Sequence, residues 1–395
     1  MKALFLAACL LACAAAQQAD FTVVALPDTQ KYSASYPQIF NAQTQWIKDH
    51  LASDNIQLVI GLGDIVNGGG DLTQWQNADN AIKIIDGYVP FVLAAGNHDY
   101  DKGDLAPLRR FAGNFNKYFG PARYSGKSYY AGNFRGSNEN FYAVVNLGGK
   151  DTLILVLEFM PRDAALNWAK KILQANLDKE AWIVTHAFGY RNDQISTCDA
   201  WTKESFGVTG NDGQQVWRVL GSQYANISLI LSGHVTAHNG VGRRQDYGAS
   251  GKLVNQILSD YQAYVNGGNG YLRIMRFHPS QNTIDVQTYS PYADAWLTDA
   301  ANQFTVQYRE QDPGGSGAIK GQITDNTQCN QLAGVTVSDD QGHSTVSDPY
   351  GNYTLSGVNS GKITITAKKS GFTSQSKTLN VGSKAATLKF SLQIN

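Results

Sequence analysis

Short apolar runs alternate with amphipathic segments over the first three quarters of the chain. The apolar, β-branched runs predict buried strands, and segments with apolar residues three or four positions apart predict helices. This β-α-β-α-β order favours an α/β fold with a buried, partly parallel sheet. The predicted strands are Phe21–Leu26, the run from Ile56 that Gly63 ends, Pro90–Ala95, Thr152–Leu157, Ala181–Thr185 and Ile227–Leu231; the predicted helices are Ile39–Leu51, Leu72–Asp86, Ala164–Asn176 and Val216–Tyr224.

Later apolar runs have few helical segments between them and predict a second sheet packed on the first, from Leu253–Leu258, Tyr271–Phe277 and Thr283–Tyr289. Two segments interrupt the alternation. Asp101–Gly149 is rich in glycine, asparagine and aromatic residues, and is either the wall of a substrate pocket or a packed loop or hairpin. Arg191–Asn211 is a second loop.

The pattern changes again near the C-terminus. A Pro-Gly-Gly-Ser-Gly sequence within residues 311–317 is typical of a short flexible linker. Beyond it, residues 318–395 contain short β-branched runs separated by turn sequences, a spacing that predicts a small antiparallel β-sandwich. The sequence therefore predicts a domain at residues 20–310, the linker and an all-β domain.

The N-terminus has the composition of a secretory signal peptide at residues 1–16. Lys2 is followed by an apolar run too short to span a bilayer, and Ala14-Ala15-Ala16 resembles a cleavage site. We therefore expect a secreted, extracellular or periplasmic protein without a transmembrane span, with a lipid anchor at Cys9 or Cys13 as the alternative. After cleavage Cys198 and Cys329 remain, and two cysteines establish neither a disulfide framework nor a zinc finger.

Composition adds one exclusion. The formal net charge is zero and only 16% of residues are charged, so no basic patch for nucleic acid is expected.

Candidate chemistry lies where the predicted strands end. Five of them run directly into residues that bind metals: Asp28; Asp64; Asn97-His98-Asp99; His186; and His234. In open α/β sheets ligands bind beyond the carboxyl ends of strands, so these side chains are expected at one edge. Two metal ions about 3.5–4 Å apart, bridged by a carboxylate, would suit mixed His and Asp/Asn donors and would support phosphate-ester hydrolysis.

The ordered motifs Asp28-x-Gln30, Gly63-Asp64-x-x-Asn67, Gly96-Asn97-His98-Asp99, His186 and Gly233-His234 resemble those of the calcineurin-like metallophosphoesterase superfamily. The resemblance implies a four-layer α/β/β/α sandwich with a dinuclear site of Fe, Mn or Zn. It also implies that Asp64 bridges the metals and that Asn97, His186 and His234 complete the second site. His98 would then be the general acid, oriented by Asp99, and Asn97 would also touch the substrate phosphate.

Two positions depart from that family pattern. Gln30 occupies the place of a histidine in the first motif, and Thr236 occupies the place of the second histidine in the last. The amide oxygen of Gln30 is a weaker, harder ligand than imidazole, and His238 could substitute for Thr236 only if the loop is re-routed. The sequence thus predicts one complete metal site and a first site made of Asp28 and Asp64, with Gln30 and His238 as its further candidate ligands.

Other candidates are less specific. Arg243 and Arg244 would either meet a substrate phosphate or form an exposed basic turn, and Asp260 would support the site from behind the ligands. His50, His278 and His343 are interpreted as structural. The C-terminal segment, with Asp348-x-x-Gly351-Asn352-Tyr353, resembles carboxypeptidase regulatory-like, transthyretin-like sandwiches, which suggests a spacer, a stabilising domain or a module for surface or carbohydrate attachment.

Two functions follow. The first is a secreted phosphoesterase that uses metal-activated water and His98 to hydrolyse phosphomonoesters or phosphodiesters. The alternative is a catalytically weakened metal-binding or scaffold protein with one intact site. Gln30 and Thr236 favour the second hypothesis, and the intact Asn97-His98-Asp99 sequence favours the first.

Overall fold

The computed structural model describes residues 17–102, 110–190, 194–195, 210–236, 240–248, 252–309, 317–326, 330–381 and 386–395. The predicted signal peptide, residues 311–316 of the linker, Cys198, Cys329 and His238 lie outside these ranges. Among the described residues, no helix combines the length and the apolar character needed to cross a bilayer.

The first part of the chain forms the alternating elements that the sequence predicts. Helix α2 begins with a proline, whose fixed φ suits the first helical turn. The side chain of Asp71 caps α3 by accepting the N–H of Thr73. In chain order the elements are β1 (Phe21–Leu26), α1 (Gln30–Ser35), α2 (Pro37–Asp49), β2 (Ile56–Gly61), α3 (Leu72–Lys83) and β3 (Phe91–Leu93).

The segment after β3 is a packed region with a hairpin. Its aromatic residues are mostly interior, and Phe115, Phe119, Tyr124 and Phe141 are all buried. Of the two alternatives for Asp101–Gly149, the described part thus matches the packed hairpin. Its elements are α4 (Gly113–Phe119), α5 (Pro121–Tyr124), β4 (Tyr130–Phe134) and β5 (Ser137–Leu147), which pairs with the next strand, β6 (Lys150–Leu157).

The chain then builds the rest of both sheets. A turn of π-helix at Trp217–Gly221 extends α7. The elements are α6 (Asp163–Ala175), β7 (Glu180–Thr185), β8 (Gly189–Tyr190), β9 (Gln194–Ile195), α7 (Gly213–Val216), β10 (Ile227–Ser232), β11 (Val241–Tyr247), β12 (Leu253–Ser259), α8 (Val265–Gly268), β13 (Leu272–His278), β14 (Thr283–Ser290), β15 (Ala295–Leu297) and β16 (Phe304–Gln307).

Two seven-stranded sheets form the centre of this region. The first has the strand order β15-β14-β13-β1-β2-β3, and its seventh strand, β16, pairs with β14. The second has the order β11-β12-β10-β7-β6-β5-β4. Strands β1, β2 and β3 are parallel, as are β6, β7, β10 and β12. The sheets face each other across an apolar core, where Trp182 stacks on Phe21 and Phe277. On the outer face of the second sheet Ile183 packs with Leu166 of α6. The result is the expected four-layer α/β/β/α sandwich.

The last part of the chain is an all-β sandwich. One sheet has the order β20-β17-β23, with β24 also on β17, and the other the order β19-β18-β21-β22. Alternate residues point into a small core, as in β21, where Ile363, Ile365 and Ala367 are buried. The strands are β17 (Ala318–Asp325), β18 (Thr336–Asp339), β19 (Ser344–Val346), β20 (Asn352–Ser356), β21 (Gly361–Lys368), β22 (Gln375–Val381), β23 (Ala386–Thr387) and β24 (Phe390–Leu392).

Strand β11 joins the two parts of the molecule. Arg244 is 6% exposed, and its Nε lies 2.6 Å from Oδ2 of the buried Asp246. Gln322 of β17 donates its amide to the same carboxylate, and the amide of Asn352 donates to the Gln245 carbonyl at 3.0 Å. Neither hypothesis for Arg244 is therefore correct, because it lies neither at a substrate phosphate nor in an exposed turn but in a domain contact.

Candidate metal centre

Three of the predicted site residues occupy strained backbone positions just after strands. Asp28 follows β1 with φ +29°, Asp64 follows β2 with φ +49°, and His234 follows β10 with φ +75°. Residues with a side chain rarely adopt positive φ, and such strain concentrates at functional sites. These conformations turn the side chains back toward the edge shared by the two sheets.

The side chains converge in the interior. One donor atom from each of Asp64, His186 and His234 lies within 4.8 Å of the others, and all three residues are buried. His186 Nε2 is 3.2 Å from Asp64 Oδ2 and 3.7 Å from Asp28 Oδ1. Asp28 Oδ2 accepts the backbone N–H of His234 at 3.2 Å. The structure thus brings together ligands from both sheets.

A second contact orients the His186 ring. Its Nδ1 lies 2.8 Å from the carbonyl oxygen of Leu62, so Nδ1 must donate its hydrogen there. The neutral ring therefore presents the lone pair of Nε2 to the cluster, which is how a metal-binding histidine is prepared. Phe159, at the end of β6, packs against His186 and His234 with ring centroids 5.9 and 5.1 Å away.

Three buried polar atoms of the cluster have no hydrogen-bond partner among the described residues: Asp28 Oδ1, Asn97 Oδ1 and His186 Nε2. Leaving such atoms unsatisfied costs about 1–3 kcal/mol each, and more for a charged group. A cation would satisfy all three, and oxygen with imidazole donors suits Fe, Mn or Zn. The residues present therefore fit a metal centre.

Glycines permit this close approach. Because they lack a Cβ, the strand ends can lie directly against the ligand side chains. A Cβ would lie 2.5 Å from His186 Nδ1 if added at Gly63, 2.0 Å from Asp64 Oδ1 at Gly96, and 2.3 Å from Asp28 Oδ2 at Gly233.

The pKa values show an excess of buried negative charge. Burial and the charge of Asp260 raise the pKa of Asp28 well above its usual range. Burial would lower the pKa of His186, but Asp64 and Asp28 outweigh it and raise that pKa to about 10. The pKa of Asp64 is below its usual range despite burial, because His186 stabilises the carboxylate. Burial and His186 lower the pKa of His234 to about 3. Protons thus partly neutralise the carboxylates, a role that a bound cation would take over.

Gln30 reaches the cluster. It is 1% exposed, and its Nε2 donates to Asp64 Oδ2 at 3.0 Å. In this arrangement its amide supports Asp64 instead of offering its oxygen as a ligand. The predicted ligand His238 lies outside the described residues.

His98 and Asn97 lie beside the cluster. Asn97 is 5% exposed, whereas His98 is half-buried. The backbone N–H of His98 donates to Asp64 Oδ1 at 2.9 Å, and its Nδ1 lies 2.8 Å from the Asn67 carbonyl oxygen. With Nδ1 committed to that carbonyl, Nε2 is the ring position that can exchange a proton with a ligand.

The expectation that Asp99 orients His98 is wrong. Asp99 Oδ1 accepts the N–H groups of Ile65 and Val66 at 2.8 and 3.0 Å, and Oδ2 accepts the N–H of Gly96 at 2.8 Å. Asp99 therefore ties together the loops after β2 and β3. The residue that orients the ring is Asn67, which belongs to the motif Gly63-Asp64-x-x-Asn67 but acts here through its backbone carbonyl.

Asp260 follows β12 and is buried against the cluster, in agreement with its predicted supporting position. Burial raises its pKa to about 7.

The positions of His50, His278 and His343 agree with structural roles: His50 stacks on Trp46, His278 pairs with Asp20, and His343 pairs with Asp339. Phe159 was not predicted, although its position just after a strand could have indicated it.

Two family models match different parts of the chain. Residues 21–238, more than half of the chain, match the family model described as calcineurin-like phosphoesterase. Residues 319–395 match the model of the CarboxypepD_reg-like domain.

Among curated relatives, 281 residues are 32% identical to the uncharacterized protein YvnB of Bacillus subtilis, covering 69% of this chain and 20% of YvnB. A 76-residue stretch, 19% of this chain, is 33% identical to the probable inactive purple acid phosphatase 27 of Arabidopsis thaliana and covers 12% of it. The chain thus spans a fifth or less of the length of these relatives.

Two solved structures are similar at low sequence identity. A dimetal phosphatase from Danio rerio has a TM-score of 0.45 at 13% identity, covering 73% of this chain and 99% of the other. A purple acid phosphatase from yellow lupin, Lupinus luteus, has a TM-score of 0.46 at 15% identity, and the match covers 74% of this chain and 54% of the lupin chain.

Proposed function

Because the chain belongs to the calcineurin-like phosphoesterase family, we propose that it is a metal-dependent hydrolase of phosphate monoesters or diesters. One observation carries the proposal. Buried ligand atoms of Asp28, Asn97 and His186 make no hydrogen bond with the described residues, and donor atoms of Asp64, His186 and His234 lie within 4.8 Å of one another. Beside them is a half-buried histidine, His98, whose Nδ1 is bonded to the Asn67 carbonyl oxygen.

The cluster offers two overlapping sets of ligands. Asp64, Asn97, His186 and His234 would hold one metal ion, and Asp28 and Asp64 would hold the other, with Gln30 and His238 as the remaining predicted ligands. Metal ions bound here would supply charge neutralisation at the phosphoryl oxygens and an activated water. Fe, Mn and Zn all suit these donors.

The protein's own residues would position and protonate the ester. In its protonated form His98 would give the proton on Nε2 to the leaving-group oxygen, while Nδ1–H stays bound to the Asn67 carbonyl. The amide of Asn97 would bind a phosphoryl oxygen, which holds phosphorus next to the cluster. Asp99 would keep the Asn97 and His98 loop in place through the N–H of Gly96.

The second candidate function is a catalytically weakened metal-binding or scaffold protein. The observation that favours it is the hydrogen bond from Gln30 to Asp64, which occupies an oxygen that a bridging carboxylate would offer to metal. Loss of the first metal would leave one ligand set intact and turnover weak.

Export of the protein remains part of the proposal, on the basis of Lys2 and the apolar run to Ala16. The attachment role of the C-terminal domain is likewise a prediction.

The decisive experiment is metal content of the purified protein together with hydrolysis of an aryl phosphomonoester and an aryl phosphodiester. About two metal ions per chain, with turnover lost on chelation and restored by Mn²⁺, Zn²⁺ or Fe, is the expected result. One metal ion or none, with no turnover after these additions, would establish the second candidate instead.

The role of His98 has its own test. His98→Ala should lower kcat by about 10²–10⁴-fold with metal content unchanged, since it removes the general acid but no predicted ligand. A matched control is His278→Ala, which removes a surface imidazole that pairs with Asp20 and should leave kcat unchanged. An unaltered kcat in His98→Ala would remove this residue from the mechanism.

A further inference from the structure

A cavity of about 240 Å³ lies between the two domains, away from the metal centre. Trp217, Arg218 and Arg244 contribute to its wall from the first domain, and Lys377, Lys389 and Ser391 from the sandwich. Its chemistry is thus set by residues that are distant in sequence.

The wall of this cavity carries positive charge without a matching negative charge. Four cationic side chains line it, and none of the lining residues within the described ranges is acidic. Arg244 is paired with Asp246, whose charge also acts on Lys389, and within the described ranges Arg218, Lys377 and Lys389 form no ion pair. Such an imbalance contrasts with the zero net charge of the whole chain.

The two lysines are held in the wall. Lys377 Nζ donates to the Lys389 carbonyl oxygen at 2.7 Å, and Lys389 Nζ lies 5.0 Å from the centre of the Trp217 ring. Neither ammonium forms an ion pair with a described residue. Burial lowers the pKa of both lysines, and at Lys389 it outweighs the opposing charge of Asp246.

We propose that this interdomain cavity binds a phosphate group, either as free inorganic phosphate or as part of a small phosphorylated molecule. A phosphate dianion would pair with Arg218, Lys377 and Lys389, and charge-assisted hydrogen bonds of this kind are stronger than neutral ones. The hydroxyl of Ser391 and the amide of Gln322 add polar groups to the wall. The rings of Trp217 and Phe390 would accommodate an attached organic group.

Phosphate binding here would link the domains, because its cations come from both. Binding to the assembled molecule alone would therefore stabilise the domain contact by mass action. This inference does not depend on the proposed hydrolase function.

A labelling experiment on the full chain tests the site locally. Lysines are acylated with and without inorganic phosphate, sodium chloride keeps the ionic strength equal, and mass spectrometry gives the rate at each lysine. At a phosphate concentration about ten times its dissociation constant, Lys377 and Lys389 should be acylated about tenfold more slowly than without phosphate. The exposed Lys368 should not change, and Lys31 reports separately on phosphate at the metal centre, because its Nζ bonds to Asn67.

Phenylphosphonate identifies the source of the phosphate group, since a phosphoesterase does not cleave its C–P bond. If phenylphosphonate protects Lys377 and Lys389 at a lower concentration than inorganic phosphate does, the natural ligand is a phosphorylated organic molecule. If inorganic phosphate protects them and phenylphosphonate does not, the ligand is the free ion. The proposal would be overturned if neither anion changed the acylation rate of Lys389. It would also be overturned if the anions protected Lys368 as strongly as Lys389.

Variants provide the second measurement. The double variant Lys377→Met with Lys389→Met keeps the aliphatic stems but removes both charges. With metal removed by chelation, so that the metal centre does not bind phosphate, phosphate should raise the unfolding midpoint of the native chain by about 2–4 °C. This rise should disappear in the double variant but persist in Lys368→Met. In chloride the double variant should be as stable as the native chain or more so, because two unpaired, partly buried charges are removed. A rise that persists in the double variant would overturn the proposal.

Discussion

Gln30 is the residue at which this chain departs most clearly from its family pattern. Its Nε2 donates to Asp64 Oδ2 at 3.0 Å, so an imidazole at this position would bring a metal-binding nitrogen to the same place. We expect Gln30→His to raise the affinity for a second metal ion by about 10–100-fold, because imidazole is a better ligand for Zn and Fe than an amide. The measurement is metal content across a range of free metal concentrations.

A suitable control is Gln45→His, which adds an imidazole on the exposed face of α2. If both variants bind metal like the native chain, Gln30 already coordinates through its amide oxygen, and the hydrogen bond to Asp64 exists only in the metal-free state.

Residue types at the centre could be predicted from sequence, but their partners could not. Asp28, Asp64, Asn97, His186 and His234 were identifiable because each follows an apolar run. The partner of the His98 ring is the backbone carbonyl of Asn67, and every residue has a carbonyl, so the motif that contains Asn67 does not reveal this contact. Asp99 was misassigned for a related reason: its three N–H donors come from the conformations of two loops, which adjacent sequence does not reveal.

At the scale of elements, Gly96 allows the loop after β3 to lie against the loop after β2. A Cβ at this position would lie 2.0 Å from Asp64 Oδ1 and 2.4 Å from the Asp64 backbone nitrogen. We expect Gly96→Ala to displace Asp64 and to lower metal content and turnover by at least about tenfold, since a ligand carboxylate must move.

The matched control is Gly68→Ala, whose added Cβ would have Gln74 Nε2 as its nearest atom, at 3.7 Å. Metal analysis and circular dichroism on both variants separate loss of the centre from loss of the fold. Equal metal content in the two variants would show that the loops can move apart without harm.

Elements with a strong apolar period were predicted, and those defined by distant partners were not. Strand β1 was found with its observed bounds, because all its residues are buried and apolar or β-branched. Strand β11, Val-Gly-Arg-Arg-Gln-Asp-Tyr, is not predicted, and the alternatives for Arg243 and Arg244 are a phosphate contact or an exposed turn. The polar residues of this strand are stabilised by β12 and by the C-terminal sandwich, which are distant partners. The sequence alone does not decide the hairpin of β4 and β5, because its aromatic residues suit a pocket wall as well as a core.

At the scale of the whole molecule, the contact between the domains depends on a buried ion pair. Asp246 is fully buried and accepts from Arg244, Gln256 and Gln322. Asp246→Ala would leave Arg244 buried without its carboxylate. We expect it to lower the free energy of unfolding by about 3–5 kcal/mol, measured by chemical denaturation.

The control for this variant is Asp178→Ala, because Asp178 is 72% exposed and pairs with Lys179. Its loss should change stability by less than about 1 kcal/mol. A similarly small effect of Asp246→Ala would show that the domain contact does not depend on the buried pair.

Removing the metal should make the stability of the whole chain depend on pH. Burial raises the pKa of Asp260 to about 7, and burial with the charge of Asp64 raises that of Asp99 to about 8, from an ordinary 3.8. The carboxylates Asp64 and Asp28 raise the pKa of His186 from 6.5 to about 10 despite its burial. All three values lie above those of the unfolded chain. The lowered pKa of His234, about 3, acts in the opposite direction near pH 6.5 but concerns one group against three, so the metal-free folded state binds more protons between pH 6.5 and 8.

Stability of the chelated protein should therefore fall as the pH rises through this range, by up to about 1.4 kcal/mol per pH unit for each additional proton held by the folded state. A bound cation takes the place of those protons, so the metal-loaded protein should show a much flatter profile between pH 6.5 and 8. Asp260→Asn removes one of the titrating groups and should reduce the slope of the chelated protein only. Chemical denaturation at both ends of the range measures each slope, and parallel profiles with and without metal would mean that these carboxylates do not surround the cation.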